Sequence, residues 1–137
     1  MQLLYNIPGD DFTRAGEASS AIKNKLKQMG ISPAVVRNVA IATYEGEINM
    51  VIHANGGTIT VDISPDKITT VLKDTGAGIP DISLAMQEGY TTAPDDVRSL
   101  GFGAGMGLPN MKKYSDEFDI QSTVGVGTTV TMSFNVS

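Results

Sequence analysis

The spacing of apolar residues changes several times along this chain, and each change marks an element. Leu3, Leu4, Tyr5 and Ile7 form a short apolar run stopped by Pro8-Gly9, which predicts an opening strand. Strong helix formers follow from Ala18 to Met29, and Gly30 can close that helix by taking a positive φ at no steric cost. Ser32-Pro33 has the cap-and-first-turn arrangement of a second helix, whose apolar positions, from Val35 and Val36 to Val51 and Ile52, carry it to about Ala54. Beyond Asn55-Gly56-Gly57 the period falls to two: Ile59, Val61 and Ile63 alternate with Thr58, Thr60 and Asp62, as a half-buried strand requires. A turn at Ser64-Pro65-Asp66-Lys67 returns the chain as strand Ile68 to Leu72. From Pro80 to Gly107 only Ile82 to Met86 reads as a short helix, and the rest has no stable period. A helix from Leu108 to Tyr114 and strands Glu117 to Val124 and Thr128 to Val136 complete the chain, with Gly125-Val126-Gly127 as the last turn.

This order predicts an α/β two-layer sandwich, a mixed β-sheet covered by helices on one face, and one domain over residues 1–137. Composition narrows the function classes. With 41% hydrophobic and 18% charged residues, the chain has material for a core and too little charge for a disordered segment. A formal net charge of -5 disfavours broad attraction to a nucleic-acid backbone, and no nucleic-acid partner is expected. The absence of cysteine excludes a disulfide framework, a thiolate nucleophile and a Cys-rich metal site. No basic-then-apolar leader is read, and no apolar stretch approaches the ~20 residues of a membrane span, so the expectation is a cytoplasmic protein without membrane association.

Glu45 and Asn49 lie four residues apart in the second helix and project from nearly one line. A carboxylate there could orient an attacking hydroxyl, and a carboxamide oxygen could complete the coordination of Mg²⁺ beside phosphate oxygens. A solvated helix face is the competing reading. His53 is the single histidine, near a helix end where such residues more often cap or make a core hydrogen bond, and it is assigned no catalysis. Asp74-Thr75-Gly76-Ala77-Gly78 follows a strand: the carboxylate could accept a hydrogen bond from an exocyclic adenine amine while the glycines admit a flat ligand, although an ordinary turn has the same composition. Gly101, Gly103, Gly105 and Gly107 precede the helix from Leu108, whose free N–H groups attract phosphate. No P-loop pattern occurs, and the frames Gly101-x-Gly103-x-x-Met106 and Gly103-x-Gly105-x-x-Leu108 both break the dinucleotide fingerprint at its third glycine.

Taken together, Glu45-Gly46-Glu47-Ile48-Asn49, Asp74-Thr75-Gly76-Ala77-Gly78, Gly101 to Leu108 and Gly125-Val126-Gly127-Thr128 resemble the N box, the two glycine boxes and the last sheet segment of the GHKL superfamily, which includes gyrase, heat-shock chaperones, histidine kinases and mismatch-repair proteins. The stretches Val39 to Ala54 and Gly105 to Asp119 look like the stand-alone serine kinases and anti-sigma factors of bacterial stress and sporulation switches; the likeness runs from about Phe12 to Thr131.

The resemblance implies a Bergerat-type ATP-binding fold with ATP and Mg²⁺ as cofactors. Glu45 would be the catalytic carboxylate, Asn49 the magnesium ligand and Asp74 the adenine-recognising group. Gly76 and Gly78 would lie beneath the nucleotide, Gly103, Gly105 and Gly107 would form a lid over about 88–107, and Thr128 would support the adenine pocket. Arg98 and Lys112 are candidates for neutralising the transferred phosphate. The implied reaction is phosphoryl transfer to serine or threonine of a small anti-sigma-antagonist-type protein in a stress-response partner-switching cascade, with a sigma factor or regulatory phosphatase as further partners. The alternatives are an ATP-binding anti-sigma module without efficient transfer and a stand-alone ATPase.

Overall fold

The computed structural model describes residues 1–9, 14–53, 56–76, 86 and 107–136. Their elements are β1 (Gln2–Pro8), α1 (Glu17–Gln28), α2 (Pro33–His53), β2 (Gly56–Ile63), β3 (Lys67–Asp74), α3 (Gly107–Tyr114), β4 (Glu117–Thr123) and β5 (Gly127–Asn135). Each expected element in these residues is present, with ends within three positions of those expected, and fraying and capping account for the shifts. The short helix expected over 82–86 and the lid expected over about 88–107 lie outside the described residues, apart from Met86 and Gly107.

The strands form one sheet in the order β1-β2-β3-β5-β4, and every neighbouring pair is antiparallel. The parallel relation in the expected mixed sheet is confined to strands that do not touch. β3 and β4 run the same way because α3 carries the chain across the sheet, and β5 then returns between them.

Strand alternation and register place the core. Ile59 stands opposite Tyr5 and Leu72, Ile68 opposite Ile63 and Phe134, and Val130 opposite Leu72 and Ile120, so one sheet face carries a continuous apolar surface. Ile22 and Leu26 of α1, Val36, Val39 and Val51 of α2, and Met111 of α3 join that cluster. The opposite face carries Thr58, Thr60, Thr69, Thr129 and Thr131, all partly exposed. The result is a two-layer α/β sandwich with helices on one face, as in a Bergerat-type fold. Within the helical layer α2 is central, with α1 packed on one flank and α3 on the other.

Candidate active site

The site is organised by α2, whose residues 45–49 face three directions. Gly46 is the point of closest packing: a Cβ there would run into the Leu72 side chain of β3 and come within 3.1 Å of the Met111 methyl of α3. Its lack of a side chain lets α2 settle against both elements. Glu45 and Asn49, flanking this contact one turn apart, are both half-buried, so neither is a freely solvated helix charge or amide. From α3, the Asn110 Nδ2 donates to Glu45 Oε1 at 3.4 Å.

Glu47, which the sequence reading passed over, is the most enclosed carboxylate among the described residues, at 2% exposure. Helix α1 starts at a left-handed Gly16 with no side-chain cap; Glu17 N donates locally to Arg14 O, and the amides of Gly16, Ala18 and Ser19 need acceptors from elsewhere. Glu47 supplies them from α2. Its Oε2 accepts from Gly16 N at 2.9 Å and Ala18 N at 3.2 Å, and its Oε1 from Ser19 N at 2.9 Å. A carboxylate so enclosed must find donors, and these three amides are the ones it finds.

Asp74 ends β3, paired in register with Gly57, the residue reached by the Met50 side chain of α2. Its Oδ1 accepts two backbone N–H groups, Gly76 at 2.9 Å and Thr128 at 3.1 Å. Among the described residues Oδ2 has no partner. The Thr128 Oγ1 lies 2.8 Å from Ser122 Oγ, which fixes the neighbouring end of β5. Gly127, at φ 144, brings that strand end so close that a Cβ would strike the Asp74 carbonyl oxygen. Asp74, Gly76 and Thr128 are thus brought together.

Helix α3 begins at Gly107. Its first turn leaves the N–H groups of Gly107 and Leu108 outside the helical ladder, and Pro109 has none to leave. Lys112 lies in the last turn, at the opposite end from these donors, where it complements the helix dipole. Gly78, Gly103, Gly105 and Arg98 fall outside the described residues. Tyr44, beside Glu45, has its phenol pKa raised by partial burial and then by the charges of Glu45 and Glu47. Among the described residues no three acidic or histidine side chains converge as a metal site, so a cation held by Asn49 would need ligand oxygens to complete its shell. No helix among them is long and apolar enough to cross a membrane.

Comparison with known proteins places this geometry. Residues 10–134 match the histidine kinase-like ATPase domain. The chain belongs to this family. Members of the histidine kinase-like ATPase family similar to it include the serine/threonine-protein kinase RsbT of Bacillus subtilis, 30% identical over 79% of this chain and 78% of that protein. The anti-sigma F factor of Clostridium novyi is 30% identical over 96% of this chain and 90% of its own length. The anti-sigma F factor of a Thermoanaerobacter species is 40% identical over 72% of this chain, but the match spans only 61% of that relative. Among solved structures, SiaB-SiaC from Pseudomonas aeruginosa aligns over 96% of this chain and 88% of its own with TM-score 0.67 and 15% identity. The RsbU and RsbW domains of a Mycobacterium tuberculosis protein align over 98% of this chain and 32% of theirs, with TM-score 0.65 and 14% identity. At these identities the structural likeness establishes the fold alone.

Proposed function

We propose that this chain is a Mg-ATP-dependent protein serine/threonine kinase whose acceptor is a small anti-sigma-antagonist-type protein. The observation that carries the reading is the position of Glu45 and Asn49, half-buried on one face of the helix that packs against the strand ending in Asp74. Asp74 Oδ2 would accept from the adenine amine while Oδ1 stays tied to the backbone. The first-turn amides of α3 would face the phosphates, with Gly107 at their head. Asn49 would offer its carboxamide oxygen to Mg²⁺, which when bound supplies positive charge to the phosphate oxygens.

Glu45 would orient the acceptor hydroxyl. As the hydroxyl oxygen bonds to the γ-phosphorus, the bond to the β-γ bridging oxygen breaks, ADP leaves, and the hydroxyl proton passes to the carboxylate. The kinase name of the Bacillus relative points the same way.

The test is incubation with radiolabelled ATP and a panel of small antagonist-domain proteins, followed by mapping of the modified residue. Label on a serine or threonine of one panel member is expected. No transfer, with ATP bound and a sigma factor held more tightly in its presence, would replace this reading with the anti-sigma module that the other relatives' names favour. Release of phosphate without any labelled protein would indicate a plain ATPase.

A further inference from the structure

We infer that Asn110 is a positioning residue that makes the orientation of Glu45 depend on the seating of α3. This inference rests on the kinase reading above, because it concerns the carboxylate assigned there to the acceptor hydroxyl. The two residues lie 65 positions apart in sequence, on different helices, and meet through the 3.4 Å contact from Asn110 Nδ2 to Glu45 Oε1.

The meeting is built in by packing. Next to Asn110, Met111 is 1% exposed, and its methyl group sits against Gly46, next to Glu45. Two consecutive residues of α3 therefore engage two consecutive residues of α2, one pair apolar and buried, the other polar and half-buried. The buried pair sets the register, and the polar pair uses it.

Chemistry gives the contact a direction. The amide donates to Oε1, and among the described residues Oε2 has no partner, which leaves one carboxylate oxygen to receive a proton while the other holds the group in one rotamer. At 3.4 Å the bond is longer than the usual 2.7–3.2 Å range, so a small advance of α3 would tighten it. Asn110 also lies directly after the leading N–H groups of α3 that are left outside the helical ladder. One residue thus spans the phosphate-facing end of α3 and the carboxylate on α2. A nucleotide that draws this turn inward would align Glu45 through the same side chain.

Two measurements on the intact chain test the inference. The first needs no activity: the side-chain amide resonances of Asn110 are followed by NMR in the wild type and in Glu45→Gln. They should shift on substitution, whereas Glu117→Gln, a distant carboxylate change, should leave them in place. Asn110 resonances unchanged in Glu45→Gln would overturn the inference whatever the protein catalyses.

The second is a single-turnover cycle at saturating ATP with Asn110→Ala, Glu45→Ala and the double variant. Asn110→Ala should retain ATP affinity within about threefold and lower the transfer rate constant by about 10- to 100-fold, with no further loss once Glu45 is absent. Asn110→Asp, equal in size but without the donor and charged toward Glu45, should transfer no faster than Asn110→Ala. A purely structural contact would instead lower stability or ATP affinity and leave transfer at saturation unchanged, and that result overturns the inference. Wild-type transfer by Glu45→Ala would remove the catalytic reading beneath it, an outcome separate from the NMR result.

Discussion

Replacing Glu47 should unfasten the start of α1 while leaving the sheet intact, and the cost can be worked from its three hydrogen bonds. Glu47→Gln preserves volume but keeps only one acceptor oxygen. Its better orientation leaves that oxygen facing Gly16 and Ala18 and turns the new NH₂ toward the Ser19 amide, so one donor meets another. A charge-assisted hydrogen bond is worth about 1.5–3 kcal/mol, and the remaining two bonds also lose their charge, giving an expected loss of roughly 2–4 kcal/mol. Glu47→Ala strands all three amides and leaves a void at a site 2% exposed. Its expected loss is about 3–5 kcal/mol, less than three separate penalties because the freed helix start can reach water. For a chain of this length each kcal/mol lowers Tm by about 3–5 °C. Urea denaturation followed by circular dichroism measures the loss, and amide exchange at Gly16, Ala18 and Ser19 locates it. A Glu47→Ala protein within ~1 kcal/mol of wild type, or one whose α1 amides exchange no faster, would refute the reasoning.

Asp74→Asn should fold normally, since its amide oxygen can keep both backbone contacts, but the NH₂ then faces the adenine amine; a folded variant whose ATP affinity falls by less than the ~1.5 kcal/mol of a charge-assisted contact in calorimetry would remove Asp74 from adenine recognition. Gly127→Ala adds a Cβ against the Asp74 carbonyl at φ 144 and should lose about 1–3 kcal/mol of stability together with nucleotide affinity, checked by thermal melts and titration in parallel. Because the Tyr44 pKa is raised, the stability this phenol contributes is complete below the unfolded value near pH 10 and is lost as pH rises through the higher folded value; Tyr44→Phe should therefore lose less stability than wild type on passing above about pH 10, and identical alkaline profiles would refute this.

The sequence carried the fold because the switch from helical spacing before His53 to period two after Gly57 is local information, and so are the turns at Ser64-Pro65 and Gly125. The strand order was legible only in outline, since no local pattern says that β5 inserts between β3 and β4. Spacing paired Glu45 with Asn49, a place after a strand singled out Asp74, and Thr128 entered only through the family resemblance. Their individual geometry was not legible: that Oδ1 of Asp74 is consumed by backbone donors depends on a residue 54 positions away. Glu47 escaped because one carboxylate on a helix normally reads as a solvated charge, and the missing cap at Gly16 that requires it lies a helix earlier. Asn110 escaped for the same reason, its partner being on another element.

The tether from Thr128 to Asp74 has a consequence for how the chain comes to hold a ligand during its own synthesis. Asp74 leaves the ribosome long before β5, yet one of the two donors that orient it belongs to β5, so its carboxylate is not set until that strand has docked against β3. Nucleotide would then act late in folding, as a clamp on the finished sheet rather than a nucleus for it. Saturating ATP should slow unfolding and leave the refolding rate nearly unchanged in stopped-flow traces, and an accelerated refolding limb would contradict that order of events.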